Sequence, residues 1–349
     1  MSAQLGKKAS QQASPLHNIS RQLFQRVPLI PAGISLAGKT ALVTGTNIGL
    51  GLECARHFLQ LGPPKLLIMA VRSPEKGEKA ASGLRAEFPA ANIQVWQLDL
   101  ASFRSIQAFS SRCTSEIDGR LHAAVLNAGL AKMKFERAAD EGHGTPREIT
   151  TQVNYLSTAL LALLLLPKLR PSITSPEPGR LSIVTSDAAL GCKLEDPGAT
   201  TKILDSIDMP RGYDGYHQYC RSKLLVTMFA ARLAELTDPT EVIINCSNPG
   251  ATKGTGFLDG VDSWLVNTVI SMLYSILGRT AADASRIYVH SALVLGRESH
   301  GSFTDWRINA WPVVMYSEVG RQLAERVWNE TIEELAFAGA QEVIKGLEH

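Results

Sequence analysis

From Lys39 onward, short β-rich runs alternate regularly with helical patterns. Six strands are predicted at 40–44, 65–71, 92–98, 121–127, 180–186 and 241–247, and a seventh short strand at 301–304. The strands are almost continuously apolar, which is typical of a parallel sheet covered by helices on both faces. The sequence therefore predicts a single α/β domain over residues 38–349, with a doubly wound parallel sheet of about seven strands.

Composition narrows the classes of function. Lys and Arg number 35 and Asp and Glu 33, so the net charge of +2 argues against nucleic acid as the main partner. No run reaches the roughly 18 apolar residues of a membrane span, and the richest, Leu156–Leu166, is predicted to be a buried helix. The cysteines lack metal-ligand spacing, so we expect no structural zinc and a reducing, cytoplasmic location. They are Cys54, Cys113, Cys192, Cys220 and Cys246.

Residues 1–37 form a separate basic zone, because the first carboxylate of the chain is Glu53. Serines, glutamines and prolines indicate a weakly ordered, flexible arm. Apolar residues at near-helical spacing between Leu16 and Phe24 are compatible with a short amphipathic helix. A basic, acid-poor, serine-bearing start is also typical of organelle transit peptides, and that alternative stays open.

A glycine-rich turn directly follows the first predicted strand. Gly45 permits a tight turn, Gly49 lets the backbone approach a pyrophosphate, and Gly51 lets the next helix pack near the strand. The helix N-terminus would present unpaired N–H groups to phosphates. The turn, at Thr44-Gly45-Thr46-Asn47-Ile48-Gly49-Leu50-Gly51, therefore predicts a Rossmann-type dinucleotide site.

The end of the second strand indicates which dinucleotide binds. An NAD-binding fold usually carries a carboxylate here for the ribose 2′-hydroxyl, whereas an arginine accommodates a 2′-phosphate. No acidic residue occupies this position, and Arg72 follows the strand directly. The sequence favours NADP over NAD.

Tyr219 and Lys223 lie four residues apart at the start of an apolar helical pattern. Residues at this spacing share one helix face, so the two polar groups can reach one small volume. A nearby ammonium favours the phenolate, which makes the pair a candidate proton donor. Tyr216 is the rival donor, but it lies seven positions before Lys223 and is expected to line the substrate pocket instead.

Further motifs follow in an order that resembles the short-chain dehydrogenase/reductase family. The resemblance covers roughly residues 38–338 and is closest to the retinol-dehydrogenase-like branch and to fungal secondary-metabolite ketoreductases. It implies that Asp99 and Leu100 contact the adenine. It also implies a catalytic tetrad of Asn154, Ser186, Tyr219 and Lys223. The remaining landmarks are Asn127-Ala128-Gly129 after the fourth strand and Asn248-Pro249-Gly250 after the sixth.

The resemblance implies carbonyl reduction by hydride transfer from NADPH. Tyr219 would be the general acid for the substrate oxygen, and Ser186 would orient that oxygen. Lys223 would hold the nicotinamide ribose and lower the pKa of Tyr219. Asn154 would position a water that relays protons from Lys223.

Two departures from the family pattern stand out. Between Ser186 and Tyr219 lie 32 residues, more than in most members, and we expect part of this segment to be a surface loop near the site. The threonine after the Pro-Gly turn is displaced, so that either Thr252 or Thr255 would contact the nicotinamide.

Residues 253–278 are densely apolar and, by resemblance, form the lid over a hydrophobic substrate. A membrane-surface helix or a subunit contact are the alternatives. Family members commonly form dimers or tetramers, and the faces 156–166 and 224–236 would allow that or would simply cover the sheet.

The sequence thus predicts an NADP(H)-dependent reductase of a hydrophobic carbonyl compound, such as a polyketide or other secondary-metabolite intermediate. The alternatives are an NAD(P)-dependent alcohol dehydrogenase of the retinol or steroid kind at a membrane surface, or a non-redox epimerase, dehydratase or cofactor-sensing regulator on the same fold.

Overall fold

The computed structural model describes residues 1–139, 141–142, 146–253 and 278–347. Within these ranges one sheet forms the centre of the molecule. Its strands are β1 (Thr40–Thr44), β2 (Leu66–Val71), β3 (Ile93–Gln97), β4 (Ala123–Leu126), β5 (Gly179–Val184), β6 (Val242–Ser247), β7 (Ser302–Thr304) and β8 (Ile308–Asn309). Their order across the sheet is β3-β2-β1-β4-β5-β6-β7-β8. The predicted doubly wound sheet is confirmed.

The sheet has one strand more than the seven predicted. Strands β1 to β7 are parallel, whereas β8 pairs antiparallel with β7. The chain reverses at Asp305, whose carboxylate accepts a hydrogen bond from Arg307 N at 2.7 Å. A two-residue strand after a tight turn has no periodicity that a sequence pattern could reveal.

Helices cover both faces of the sheet, as the apolar strands require. On one face lie α3 (Gly49–Gln60), α4 (Pro74–Glu87) and α9 (Ala281–Val289). The other face is covered by α5 (Phe103–Glu116), α6 (Ile149–Leu169), α8 (Gly215–Glu235), α10 (Glu318–Glu334) and α11 (Ala340–Lys345). Two helices of the arm, α1 (Gly6–Gln12) and α2 (Pro15–Phe24), and the short α7 (Ile203–Ser206) complete the set among the described residues.

Helix α6 contains the apolar run that was predicted to be buried. By length and composition it could cross a membrane, but nearly all of its apolar stretch lies inside the protein. In the single chain, the apolar residues of 156–166 and of 224–236 belong to the hydrophobic cluster formed by this face of the sheet and the helices that cover it. One π-helical turn, Gln152–Leu156, interrupts α6 near its start.

Residues 1–24, in the arm predicted to be weakly ordered, contain a 3₁₀ turn (Ser2–Leu5) followed by α1 and α2. Ser2 is fully buried, and its hydroxyl donates to Asn309 O at 2.5 Å and accepts from Phe303 N at 3.0 Å. These hydrogen bonds attach the start of the arm to the edge of the sheet, and no local sequence pattern indicates them.

The long segment 187–218 is only partly the surface loop expected. Ile203 and Leu204 are fully buried in α7. The Glu330 carboxylate, on α10, accepts hydrogen bonds from both of their backbone N–H groups at 2.9 and 3.0 Å. Arg147 bridges Asp205 and Glu334 at 2.6 and 2.7 Å. Charged side chains that are distant in sequence thus attach this segment to α10.

Candidate active site

The chain leaves β1 and β4 toward opposite sides of the sheet, and a ligand crevice opens at such a switch point. The carboxyl ends of these two neighbouring strands are joined by side chains. Thr44 Oγ1 accepts a hydrogen bond from Ala128 N at 2.9 Å. Asn127 Nδ2 donates to Thr44 O at 2.9 Å. The Asn127-Ala128-Gly129 turn is thereby fixed against the glycine turn.

The glycine turn is tightly constrained. Gly45 has a φ of +72°, and a Cβ added at Gly51 would lie 2.2 Å from Gly45 O. Helix α3 begins at Gly49, and neighbouring Asn47 and Ile48 are partly and largely exposed. Thr46 is fully buried, and its hydroxyl has no hydrogen-bond partner among the described residues. A close-packed turn, a helix N-terminus and an unpaired buried hydroxyl suit a pyrophosphate.

The adenosine end of the crevice lies beyond β2 and β3. Arg72 is exposed immediately after β2. Within the described part of the chain no hydrogen bond or ion pair engages its side chain. Asp99 is partly buried, and its Oδ1 accepts from Ala101 N at 2.9 Å, while Leu100 is buried. The predicted contacts of Arg72 with a 2′-phosphate and of Asp99 and Leu100 with adenine stay predictions.

Tyr219 and Lys223 lie on the first turns of α8, which begins where Asp214 caps His217 N at 3.0 Å. Lys223 is 5% exposed, and its Nζ lies 5.8 Å from the centroid of the Tyr219 ring. The same Nζ donates to Val184 O at 2.9 Å. Burial lowers the pKa of Lys223 to about 8. Lys223 is therefore still mainly protonated at neutral pH.

Asn154 lies in the π-helical turn of α6 and faces Lys223. A Cβ added at Gly129 would lie 3.0 Å from Asn154 Oδ1 and 3.4 Å from Lys223 Nζ, so the three positions converge. The Asn154 amide donates to Leu130 O at 2.7 Å and to Ser222 Oγ at 3.0 Å, and accepts from Leu130 N at 2.8 Å. Both amide hydrogens are committed, so only carbonyl oxygens of Asn154 could hold the predicted water.

Ser186 follows β5, next to the residues that hold Lys223. Its hydroxyl oxygen accepts from Ala188 N at 3.2 Å, which leaves the hydroxyl hydrogen available as a donor. Thr185 Oγ1, one residue earlier, donates to Lys223 O at 3.1 Å. The end of β5 and the start of α8 are thus linked. Tyr216, predicted to line the substrate pocket, is 60% exposed on the first turn of α8.

The turn after β6 lies beside Ser186. Asn248 Oδ1 accepts from Asp187 N and from Gly250 N, each at 3.1 Å. Thr252 is buried, and its hydroxyl donates to Gly250 O at 3.2 Å. Thr255 and nearly all of the predicted lid lie outside the described residues. The choice between the two threonines for the nicotinamide contact stays open.

The contacts of three residues in this geometry were not predicted from the sequence. Thr44 joins β1 to β4, and Asn248 joins the turns after β5 and β6. Arg21, in the arm, forms an ion pair with Asp187 at 2.5 Å. Thr44 and Asn248 belong to motifs that were recognised, so their positions were indicated although their contacts were not. Nothing in the local sequence links Arg21 to Asp187.

Comparison with known proteins gives a consistent set of relatives. Residues 39–193 match the family described as short chain dehydrogenase. Short chain dehydrogenase virL of Hypocrea virens is 43% identical over 350 residues, covering 99% of each chain. Short chain dehydrogenase opdN of Penicillium oxalicum is 44% identical over 308 residues, covering 86% of this chain and 97% of that protein.

Solved structures share the fold at lower identity. A short chain dehydrogenase from Salmonella enterica superposes with a TM-score of 0.58 at 22% identity, covering 80% of this chain and 100% of that one. A structure described as a short chain dehydrogenase of Escherichia coli CFT073 complexed with NADPH has a TM-score of 0.56 at 21% identity, covering 79% and 100%.

Proposed function

We propose that this chain, which belongs to the short-chain dehydrogenase/reductase family of oxidoreductases, is an NADP(H)-dependent reductase of a carbonyl group on a hydrophobic small molecule. The proposal rests mainly on one observation: Tyr219, Lys223 and Asn154 lie close together at the carboxyl ends of β4 and β5. Ser186 follows β5 beside them.

NADPH would supply a hydride to the carbonyl carbon, and the residues around it supply position and protons. The glycine turn with buried Thr46 and the helix N-terminus would hold the pyrophosphate. Exposed Arg72, without an ionic partner in the described part of the chain, would hold the 2′-phosphate. The NADPH bound to the Escherichia coli structure supports the same preference.

Tyr219 would donate its phenolic proton to the substrate oxygen as negative charge develops there. Lys223, protonated at neutral pH, would stabilise the resulting phenolate and hold the nicotinamide ribose. Ser186 would donate a hydrogen bond to the same oxygen, because its hydroxyl hydrogen is available while its oxygen accepts from Ala188 N. Asn154 would hold a water through its carbonyl oxygens, and that water would relay protons between Lys223 and bulk solvent.

The proposal also covers the class of substrate and the cellular location. The apolar residues of 253–278 support a hydrophobic substrate, and fungal relatives support one from secondary metabolism. We also propose a cytoplasmic location, which the five free, buried thiols support. A dimer or tetramer stays a prediction from the family.

The test follows NADPH absorbance against a panel of ketones, quinones and aldehydes. We expect Tyr219→Phe to bind NADPH within about twofold of wild type and to lose at least about 10²-fold in kcat, because the proton donor is gone. Tyr216→Phe is the comparison on the same helix, and we expect it to change the KM of the carbonyl without abolishing turnover.

Full activity in Tyr219→Phe would refute the proton-donor assignment. Saturable NADPH binding with no oxidation by any carbonyl would favour a non-redox use of the fold. Turnover only with alcohols and the oxidised cofactor would favour the retinol or steroid type of dehydrogenase.

A further inference from the structure

Helix α2 of the N-terminal arm crosses the end of the sheet where Ser186 lies. Its Arg21 is 6% exposed and forms ion pairs with Asp187 at 2.5 Å and with Asp305 at 3.3 Å. Asp187 follows Ser186 directly, and Asp305 follows β7. One arginine from the arm therefore joins the ends of β5 and β7, across β6.

The same helix also braces the turn after β6. Gln22 Nε2 donates to Ala251 O at 2.6 Å, and Gln22 Oε1 accepts from Arg279 Nη1 at 2.9 Å. Arg279 Nη2 donates to Arg21 O at 3.3 Å. A Cβ added at Gly250 would lie 2.7 Å from Gln22 Oε1, so α2 is in close contact with the Pro-Gly turn.

Asn248 transmits the contact between the two turns. Its Nδ2 donates to Asp187 Oδ1, the oxygen that also pairs with Arg21. Its Oδ1 accepts from Asp187 N and Gly250 N, each at 3.1 Å. Asp187 is therefore bonded through Asn248 to the turn that would face the nicotinamide, and it lies next to Ser186 in the chain.

We propose that Arg21 is a positioning residue for the hydride-transfer end of the site, acting through Asp187 and Asn248 on Ser186 and Gly250. Without the guanidinium, the carboxylates of Asp187 and Asp305 would be left without the cation that joins them and would repel each other. Among the described residues, no hydrogen bond or ion pair joins α2 to Arg72 or to the glycine turn, at the adenosine end. This inference rests on the proposed function, because it assigns Arg21 a role in that reaction.

The test compares Arg21→Gln with Arg26→Gln, an exposed arginine on the same arm. Three quantities are measured: binding of adenosine 2′,5′-bisphosphate, the fluorescence of bound NADPH, and kcat and KM with a carbonyl from the panel. The first reports the adenosine end and the folded fraction, and the second reports the surroundings of the nicotinamide.

For Arg21→Gln we expect wild-type binding of adenosine 2′,5′-bisphosphate, a reduced NADPH fluorescence enhancement, and a kcat lower by about ten- to hundredfold. Arg26→Gln should match wild type in all three. Arg21→Lys, which keeps the charge but cannot span both carboxylates as a fork, should be intermediate. It also serves as the second variant if Arg21→Gln folds poorly.

A double-mutant cycle identifies the route. If Arg21 acts through the Asp187 charge, adding Asp187→Asn to Arg21→Gln should cause no further loss of kcat, because the unpaired carboxylate is removed. Independent, multiplying losses would overturn the proposed route. Wild-type kcat and fluorescence in Arg21→Gln, or losses of all signals in proportion to folded protein, would overturn the positioning role. If wild type itself bound no NADPH, the proposed function would fail instead.

Discussion

Lys223 combines a charge with nearly complete burial, and this combination has a thermodynamic cost. Its Nζ has one hydrogen-bond acceptor in the described chain, Val184 O, and burial lowers its pKa to about 8. The pKa difference from the ordinary value of 10.5 is worth about 3 kcal/mol against the protonated native state. The folded protein bears this cost below pH 8, and it fades between pH 8 and 10.5, because the native lysine is then neutral while the unfolded one is still charged.

We therefore expect Lys223→Met to stabilise the cofactor-free protein at pH 7. Losing the hydrogen bond to Val184 O opposes the gain by about 1 kcal/mol, so the net increase in unfolding free energy should be about 2 kcal/mol. Urea unfolding at pH 7 and pH 10 measures it, and the difference between variant and wild type should shrink at the higher pH.

Exposed Lys193 provides the control, since Lys193→Met should leave stability nearly unchanged. If Lys223→Met were less stable than wild type at pH 7, the expected cost of burying the ammonium would be contradicted. The variant should lack turnover, as expected of a residue retained for chemistry at the expense of stability.

More could be predicted from the sequence about which residues form the candidate site than about which residues they bond to. Tyr219 and Lys223 stood out because they share one helix face, whereas Asn154 and Ser186 were indicated by the family resemblance. The hydrogen bonds of Asn154 to Leu130 and Ser222 could not be predicted, because they depend on how a π-helical turn aims one side chain. Arg21 and Asp187 are far apart in sequence, and no local sequence pattern indicates that they form an ion pair.

At the level of elements, the turn after β1 and the end of β2 form one proposed recognition unit for the adenosine half of NADP. Gly51 packs against Gly45 O, so the position of α3 relative to β1 is fixed. Arg72 extends from the neighbouring strand without an ionic partner in the described part of the chain. A charged 2′-phosphate would pair with that guanidinium.

We expect Arg72→Asp to weaken NADPH binding by about tenfold or more, because a charge-assisted hydrogen bond is replaced by repulsion. NADH binding should be unchanged or improved. Titration of each cofactor by fluorescence measures both constants, with Arg211→Asp as a charge reversal at another exposed arginine. Equal losses for NADPH and NADH, or an unchanged ratio, would refute recognition of the 2′-phosphate.

Seven of the eight strands of the sheet could be predicted to within two residues at each end, mainly because nearly continuous apolar runs define them. Strand β8 could not, since two residues carry no period. Helix α7 was missed because its first backbone N–H groups are satisfied by the carboxylate of Glu330, more than a hundred residues later. Elements whose stability comes from tertiary polar contacts were thus beyond local patterns.

In the whole molecule, the first and last parts of the sheet serve different halves of the proposed cofactor. The β3-β2-β1 side carries the glycine turn, Arg72 and Asp99. On the β4-β5-β6-β7 side lie the tetrad and the turn after β6, and the arm closes this side through Arg21. The arm was predicted to be flexible from its composition, whereas in the structure Arg21 contacts Asp187, the residue after Ser186.

The proposed reaction is the transfer of a hydride from NADPH to a carbonyl carbon. The most direct test uses NADPH deuterated at both hydrogens of the reactive nicotinamide carbon, with a ketone that the panel shows to be reduced. We expect wild type, but not Tyr219→Phe, to form an alcohol product that carries one deuterium at the former carbonyl carbon. An altered product without deuterium, formed while NADPH is left unoxidised, would contradict it.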